Sequence, residues 1–249
     1  VSTGEFAALL INGAADVLET APVFYRLSTG VANAVSITEL SKLRSIKVTG
    51  DWEKIEPIVK ALPHTVYLGA DLSPKQMLLS GTVDAIVAAK KAIQEAGYEV
   101  LPLPIAIPYH TPLVEGKVNA GDDAVKAVTV SRPKIPTWAC SLIDKYPEDT
   151  EAIRKITTEL FTHPIHFKKT IRAMHDEGTR IFVEVGPRGG MTPVIDEVLA
   201  GREYVAIASN LQNESGITQL NRTLASLFCH AVPLQLDYLF SRRAEIIDL

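Results

Sequence analysis

The order of predicted strands and helices in residues 44–107 restricts the fold more than any other feature of the sequence. Short apolar runs predict four strands, Ser45–Val48, Thr65–Gly69, Gln76–Ser80 and Val100–Ile107. Apolar residues at helical spacing predict two helices, Trp52–Leu62 and Thr82–Ala96. In chain order these elements read β-α-β-β-α-β, the split βαβ arrangement. We therefore predict a small ferredoxin-like subdomain over residues 44–107, inserted into a larger domain.

The segments on either side of this insert predict the larger domain. Two helical patterns precede it, Glu5–Leu10 and Asp16–Leu27. Apolar patterns after His110 predict three helices and a strand, in the order Val114–Val128 (helix), Thr137–Ser141 (strand), Thr150–Phe161 (helix) and His166–Glu177 (helix).

Two strongly apolar runs near the end of the chain set the fold class. Arg180–Val185 and Tyr204–Ser209 are rich in β-branched residues, and each precedes a glycine-containing loop and a helix. Such alternation indicates a mostly parallel sheet covered by helices. We therefore predict an α/β fold, with residues 1–43 and 108–249 as the core.

Composition excludes several classes of function. The 249 residues carry a net charge of -4, so no basic field favours a nucleic-acid partner. No apolar run approaches the roughly 20 residues that a membrane-spanning helix needs. We expect a cytoplasmic protein without a membrane partner. Cys140 and Cys229 are too few for a disulfide framework or a zinc site.

The first segment that could carry chemistry is Val1-Ser2-Thr3-Gly4-Glu5, which runs directly into a helical pattern. It fits the second half of a nucleophile elbow, in which a strand turns sharply into a helix and exposes a serine hydroxyl. Serine before an acidic first turn is also a common helix cap. From this segment alone, both interpretations stay open.

The second segment is Pro108-Tyr109-His110-Thr111-Pro112, where the insert returns to the core. A serine nucleophile needs a base that accepts its proton and later returns it, and histidine does this near neutral pH. A histidine in a proline-bounded turn can also make a purely structural hydrogen bond. His110 is therefore a candidate base only together with Ser2.

Two further motifs carry weaker hypotheses. The Gly186-Pro187-Arg188-Gly189-Gly190 turn lacks the spacing of phosphate-binding loops, so we predict no nucleotide cofactor. His163 and His166, with His110 or Glu184, suggest a metal site, but Pro164 makes this pair a helix start rather than one turn of a zinc-binding helix. We predict neither a metal nor a bound cofactor. Five basic residues fit a solvated helix face, with contact to an acidic partner as the alternative: Lys168, Lys169, Arg172, Arg242 and Arg243.

In combination, these motifs resemble the malonyl-CoA:acyl-carrier-protein transacylase family and the acyltransferase domains of polyketide and polyunsaturated fatty acid synthases. The resemblance rests on motifs in the family's order, namely Ser2-Thr3-Gly4-Glu5, Arg26, the predicted insert, Leu72-Ser73-Pro74-Lys75-Gln76, His110-Thr111-Pro112 and Glu184-Val185-Gly186-Pro187. It implies an α/β-hydrolase-like core. Because the chain starts at the elbow, we expect the N-terminal part of that core, with its second oxyanion donor, to be absent.

The resemblance also implies residue roles and partners. Ser2 is the expected nucleophile, His110 its base, and the Thr3 N–H an oxyanion donor. A backbone carbonyl in the Leu160–His163 turn is expected to orient the histidine. The implied reaction is ping-pong transfer of a malonyl-type group from coenzyme A to an acyl carrier protein, within a set of other synthase domains.

Two residues are expected to determine substrate specificity. Arg26 would pair with the free carboxylate of a malonyl-type group, and Tyr109 stands where family members vary with the side chain of the extender unit. Val1 replaces the histidine that usually precedes the serine, which leaves selectivity open. An acyl-thioester hydrolase and a non-catalytic docking module remain the alternatives.

Overall fold

The computed structural model of the protein describes residues 1–104, 107–117 and 128–240. The chain forms two units, Val1–Gly178 with Glu197–Ala200, and Thr179–Asp196 with Gly201–Leu249. Ser2 and His110 both lie in the first unit. No helix among the described residues is long and apolar enough to cross a membrane.

Three helices begin the first unit, α1 (Thr3–Ile11), α2 (Val17–Ala34) and α3 (Ile37–Ser41). Local signals define where two of them begin. The Asp16 carboxylate accepts the Glu19 N–H at the start of α2, and Ser36 and Glu39 form a capping box at the start of α3. The sequence patterns did not predict α3, and they ended the second helix at Leu27 rather than at Ala34.

A four-stranded antiparallel sheet follows, formed by β1 (Leu43–Thr49), β2 (Val66–Ser73), β3 (Gln76–Thr82) and β4 (Glu99–Pro102). The strand order is β2-β3-β1-β4, and helices α4 (Trp52–Lys60) and α5 (Val83–Glu95) complete the β-α-β-β-α-β sequence. The small antiparallel sheet is thus confirmed, although its last strand ends at Pro102 rather than at Ile107. The subdomain boundaries at 44 and 107 stay a prediction.

The two faces of this sheet have different surroundings. Ile46, Val48, Met77 and Leu79 belong to a buried apolar cluster that includes residues of α4 and α5. Successive side chains of a strand point to opposite faces, so Ser45, Leu78 and Ser80 lie on the other side. That second face lines the cavity described below.

The rest of the first unit contains short elements. They are a 3₁₀ turn at Pro112–Val114, the hairpin strands β5 (Trp138–Ala139) and β6 (Asp144–Lys145), helix α6 (Thr150–Thr158), a 3₁₀ turn at Glu159–Phe161 and helix α7 (Phe167–Asp176). The predicted strand Thr137–Ser141 is therefore shorter than expected. Most of the predicted helix Val114–Val128 lies outside the described residues.

A second apolar core packs helix α1 against α2 and the Glu159–Phe161 turn. Phe6 of α1 stacks on Phe24 of α2, with ring centroids 4.4 Å apart, and meets Phe161 edge-on at 5.9 Å. Leu9 and Ile153 are buried in the same cluster. The start of α1 is thereby held next to the Glu159–Phe161 turn.

The second unit contains a parallel strand pair, β7 (Ile181–Glu184) and β8 (Val205–Ala208). The remaining helices are α8 (Thr192–Val198), α9 (Gly216–Cys229) and α10 (Asp237–Phe240). The mixed α/β class is confirmed. A larger parallel sheet and a hydrolase-like core stay predictions, because parallel pairing between strands is limited to β7 and β8 within the part of the chain that the structure describes.

Candidate active site

Ser2 stands at the start of α1 in a strained backbone conformation. Its φ of 55° and ψ of -132° are uncommon for a residue with a Cβ atom. Its side chain makes no helix-capping hydrogen bond. Instead, Ser2 Oγ lies 2.9 Å from His110 Nε2. This geometry fits the predicted nucleophile elbow, whereas the interpretation of Ser2 as a side-chain helix cap is wrong.

His110 is held in place by backbone carbonyls of the Glu159–Phe161 turn. Its Nδ1 lies 2.8 Å from the Leu160 carbonyl oxygen, and its backbone N–H donates to the Phe161 carbonyl at 2.6 Å. A carbonyl can only accept, so Nδ1 carries the proton and Nε2 is free to accept the Ser2 hydroxyl proton. The orienting carbonyl lies in the turn where the family resemblance places it.

Burial sets the protonation state of His110. The side chain is almost enclosed, with the residue 7% exposed. Loss of solvation lowers the pKa of His110 to about 4, and the hydrogen bond from Nδ1 to the Leu160 carbonyl opposes this only in part. The imidazole is therefore neutral at pH 7 and able to act as a base.

The first turn of α1 supplies a donor beside the hydroxyl. The Gly4 N–H donates to the Val1 carbonyl and the Glu5 N–H donates to the Ser2 carbonyl, at 3.1 and 2.8 Å. The Thr3 N–H belongs to the helical N–H groups that have no intrahelical acceptor. Thr3 also lines the cavity at Ser2. Its N–H and the positive end of the helix can face a developing negative charge.

A cavity of about 400 Å³ opens at the Ser2–His110 pair. Tyr109 lines it, as do side chains of the antiparallel sheet and of the segments that follow β4, namely Ser45, Leu72, Leu78, Ser80, Leu103, Ile107, Phe161 and Ile165. Burial raises the pKa of the Tyr109 phenol, so this group is a neutral wall at ordinary pH. The sequence indicated Tyr109 but not the sheet residues. Strand alternation was the signal that could have found Leu78 and Ser80.

Arg26 is placed elsewhere. Its side chain is exposed on α2, and Arg26 does not line the cavity. The described residues thus bring Ser2, Thr3, Tyr109 and His110 together without Arg26. Its predicted role in binding a carboxylate stays a prediction.

A buried glutamate in the first turn of α1 accepts hydrogen bonds from residues far along the chain. Glu5 is buried in α1, where one carboxylate oxygen accepts the Cys140 N–H at 3.3 Å and the other accepts the Tyr146 hydroxyl at 3.0 Å. Burial raises the pKa of Glu5. The glutamate therefore attaches helix α1 to the β5–β6 hairpin and the segment that follows it.

The metal hypothesis gains no support. Across residues 1–104, 107–117 and 128–240, no group of three or more His, Cys, Asp or Glu side chains could hold a metal ion.

Comparison with known proteins finds matches to acyl transferase domains and transacylases. Residues 2–241 match the family model described as "Acyl transferase domain". The chain is 30% identical over 200 residues to a polyunsaturated fatty acid synthase protein of Thraustochytrium sp., covering 80% of this chain and 7% of that protein. It is 21% identical to the malonyl CoA-acyl carrier protein transacylase of Bacillus subtilis, covering 83% of this chain and 66% of the relative.

A solved structure shares the fold. The acyltransferase domain from the second module of the salinomycin polyketide synthase superposes with a TM-score of 0.81 at 19% identity, covering 98% of this chain and 57% of that one. The chain spans 7% of the length of the Thraustochytrium synthase and 66% of the length of the transacylase.

Proposed function

Because the chain belongs to the acyl transferase domain family, we propose that it moves an acyl group from coenzyme A to the phosphopantetheine thiol of an acyl carrier protein through an ester on Ser2. The observation that carries the proposal is the 2.9 Å contact between Ser2 Oγ and His110 Nε2. A hydroxyl this close to a neutral, oriented imidazole can lose its proton as it attacks.

In the first half-reaction, Ser2 Oγ attacks the thioester carbonyl carbon while His110 Nε2 takes the hydroxyl proton. The carbonyl oxygen becomes negative, and the Thr3 N–H faces it. The carbon–sulfur bond then breaks, and the departing coenzyme A sulfur takes the proton from Nε2. The acyl group is left as an ester on Ser2.

The second half-reaction runs the same steps in reverse with a new thiol. The carrier's phosphopantetheine thiol gives its proton to His110 Nε2 and attacks the Ser2 ester. When the ester bond breaks, Ser2 Oγ takes the proton back. Throughout, the Leu160 carbonyl 2.8 Å from Nδ1 holds the ring in one tautomer and stabilises the transient imidazolium.

The biosynthetic setting is proposed from the relatives. The Thraustochytrium fatty acid synthase contains the matching region as 7% of its length, which supports a domain that works beside other synthase domains. The name of the Bacillus subtilis relative supports a malonyl group and a carrier protein as reactants. An α/β-hydrolase-like core is part of the same proposal.

Thioester hydrolysis is the second candidate, because water can replace the carrier thiol with the same Ser2 and His110 chemistry. The contact between these side chains works against the docking-module alternative, since a module without catalysis needs no such pair.

The proposal is tested by following coenzyme A release and the acyl group separately. On mixing with a panel of malonyl-, acetyl- and hexanoyl-CoA, we expect a burst of one coenzyme A per protein with a reactive thioester, followed by turnover only when holo carrier protein is added. Ser2→Ala should abolish the burst, and His110→Ala should slow it by roughly 10²–10⁴-fold. Ser41→Ala, an exposed serine, is the matched control.

The outcomes separate the candidates. Release of free acid at the same rate with and without carrier protein would identify a hydrolase. No burst from any thioester, in protein that unfolds cooperatively, would favour the docking module.

A further inference from the structure

We infer that Thr111 is a positioning residue for the base, because its hydroxyl closes the turn that holds His110 against Ser2. This inference rests on the proposed function, since it concerns the histidine of the same reaction. It follows from the backbone conformation of His110, the hydrogen bond made by the Thr111 hydroxyl and the burial of both residues.

The backbone of His110 is in an uncommon conformation. Its φ of 64° lies in the left-handed region, which a residue with a Cβ atom adopts only where its surroundings hold it. The Glu159–Phe161 turn provides two contacts, since the Phe161 carbonyl lies 2.6 Å from the His110 N–H and the Leu160 carbonyl 2.8 Å from Nδ1. Both are contacts of His110 itself, and the bend of the chain around it needs a further constraint.

Thr111 makes a contact that closes this bend. Its Oγ1 donates a hydrogen bond of 2.6 Å to the Pro108 carbonyl, so Tyr109 and His110 lie in the middle of a closed four-residue turn. Thr111 is 0% exposed, and Pro108 is also buried. Water does not readily replace a hydrogen bond between two buried groups, so loss of the hydroxyl leaves the Pro108 carbonyl without this donor.

The position of the Thr111 hydroxyl is itself restricted. Thr111 precedes Pro112 and has the extended backbone that a residue before proline favours, with φ -138° and ψ 158°. Its branched Cβ atom restricts χ1. Its methyl group faces β2, where a Cβ atom at Gly69 would lie 3.9 Å from Thr111 Cγ2 and 3.4 Å from the Tyr109 carbonyl oxygen. The turn is therefore packed against β2 and hydrogen-bonded to the Glu159–Phe161 turn.

Thr111 acts on the reaction through His110. A side chain that is 0% exposed cannot touch a thioester in the cavity. The contact that it protects is the 2.9 Å between His110 Nε2 and Ser2 Oγ, and a displacement of about 1 Å between reacting groups costs up to about 100-fold in rate. Loss of the hydroxyl should therefore slow Ser2 acylation and leave thioester binding unchanged.

The test uses two pairs of proteins that differ chiefly in this hydroxyl, namely wild type with Thr111→Val, and Thr111→Ser with Thr111→Ala. Ester formation on Ser2 is followed by intact-protein mass spectrometry after rapid quenching. The thioester is whichever of malonyl-, acetyl- and hexanoyl-CoA reacts fastest with wild type, over a range of concentrations. In each pair, we expect loss of the hydroxyl to lower the maximal acylation rate by about 10- to 100-fold and to leave the half-saturating concentration within about threefold. Thr111→Ser should keep the maximal rate within about threefold of wild type, because serine supplies the same donor.

Thr223→Val is the matched control. Thr223 is also buried, at 3% exposed, and its hydroxyl donates to the backbone carbonyls of Gln219 and Ala208 at 2.9 and 3.3 Å. The same substitution there removes a buried hydroxyl from α9 and should leave the rate of Ser2 acylation unchanged. Urea unfolding of all variants sets a temperature at which each is folded, so that the rates compare folded proteins.

The inference is overturned if the proteins without the Thr111 hydroxyl acylate Ser2 as fast as their partners, or if only the half-saturating concentration changes. It is also overturned if Thr223→Val slows acylation as much as Thr111→Val, since the effect would then be one of stability. If Thr111→Val does not fold, the pair of Thr111→Ser and Thr111→Ala decides.

In all these cases wild type still forms the Ser2 ester, so the proposed function survives. If no thioester acylates Ser2 in wild type, the proposed function itself fails, and the inference fails with it.

Discussion

Ser2 is kept in a conformation that favours glycine, and its strain is tied to its position at the elbow. A residue with a Cβ atom at φ 55° and ψ -132° costs about 1–3 kcal/mol relative to an unstrained backbone. We predict that Ser2→Gly is about 1 kcal/mol more stable than Ser2→Ala, because glycine occupies positive φ without this cost. Urea unfolding of the two variants measures the difference.

Neither variant keeps the Ser2 hydroxyl, so the comparison isolates the effect of the backbone conformation. Equal stability of Ser2→Gly and Ser2→Ala would show that the turn relaxes and that Ser2 is not held under strain.

The buried imidazole of His110 predicts how the reaction depends on pH. Because burial lowers its pKa to about 4, the base is already neutral at pH 5. We expect kcat/KM for Ser2 acylation to be level down to about pH 5 and to fall with an apparent pKa near 4. Stopped-flow measurement of coenzyme A release gives the profile. An apparent pKa near 6.5 would mean that the ring is solvated in the working protein.

The same pKa shift links His110 to folding. Its ordinary pKa of 6.5 applies to the unfolded chain, so between pH 6.5 and about 4 the unfolded state binds the proton and the folded state does not. The contribution of His110 to stability is therefore present above pH 6.5 and is lost as the pH falls through this window, by about 3 kcal/mol in all. His110→Gln should reduce the slope of unfolding free energy against pH between these values.

At the scale of elements, Glu5 joins helix α1 to the β5–β6 hairpin and the segment that follows it. Glu5→Ala removes the acceptor for the Cys140 N–H and the Tyr146 hydroxyl, both of which are buried. We predict a loss of about 1–3 kcal/mol in unfolding free energy, and slower Ser2 acylation because α1 is less firmly placed. Chemical denaturation and single-turnover kinetics measure the two effects.

Glu5→Gln is the informative partner variant, since it keeps one acceptor oxygen. It should recover part of the stability and of the acylation rate. Glu56→Ala, which removes an exposed ion pair with Lys60, should change stability by about 0.5 kcal/mol or less. If Glu5→Ala behaves like Glu56→Ala, Glu5 does not hold the helix.

A second link between elements is ionic. Lys168 of α7 is 0% exposed, and its Nζ lies 2.8 Å from Asp51, 2.5 Å from Glu53 and 3.3 Å from Asp71, which is also 0% exposed. Burial raises the pKa of Asp71, and the nearby Lys168 ammonium opposes that rise. Lys168→Met should destabilise the protein by about 3–5 kcal/mol, because it leaves a buried carboxylate without a counter-charge.

The neighbouring lysine provides the control. Lys169 is exposed, and Lys169→Met should change the unfolding free energy by about 0.5 kcal/mol or less. Thermal and urea unfolding measure the stability of both variants. If Lys168→Met and Lys169→Met lower the unfolding free energy by the same amount, the ion pairs of Lys168 do not stabilise the fold.

The burial of Lys168 could not be predicted from the pattern of its own helix. On the sequence it looks like the exposed lysine beside it, and the solvated-face prediction for Lys168 is wrong. Its burial depends on carboxylates far away in the chain, which periodicity along one helix cannot show. The β-α-β-β-α-β order, in contrast, was predictable because each element there follows from local spacing of apolar residues.

The candidate site likewise contains residues that the sequence could predict and residues that it could not. Ser2 and His110 were predictable as candidates because the side-chain type alone shows that a serine can act as a nucleophile and a histidine as a base. The cavity wall was not predicted, since Leu78 and Ser80 become neighbours of Ser2 only when the sheet face is known. The predicted end of the last strand at Ile107 failed because Pro102 and Pro104 cannot donate hydrogen bonds to a strand ladder.

At the scale of the whole molecule, the fold brings together an elbow at the start of α1, a histidine returning from the antiparallel sheet and a turn after α6. These three segments are far apart in the chain, and the Ser2–His110 pair joins residues 108 positions apart. The match over residues 2–241 and the TM-score of 0.81 to an acyltransferase domain agree with this arrangement. The proposed function therefore depends on the first unit as an assembled structure.

Locating the acyl group on the protein tests the Ser2–His110 mechanism without relying on turnover. After rapid quenching of the protein with malonyl-, acetyl- or hexanoyl-CoA, peptide mapping by mass spectrometry should find the acyl mass on the peptide that contains Ser2, with fragment ions that assign it to that residue. The mass should be absent from Ser2→Ala and much reduced in His110→Ala. An acyl group found on another residue, or retained in Ser2→Ala, would contradict the central role of the Ser2–His110 pair.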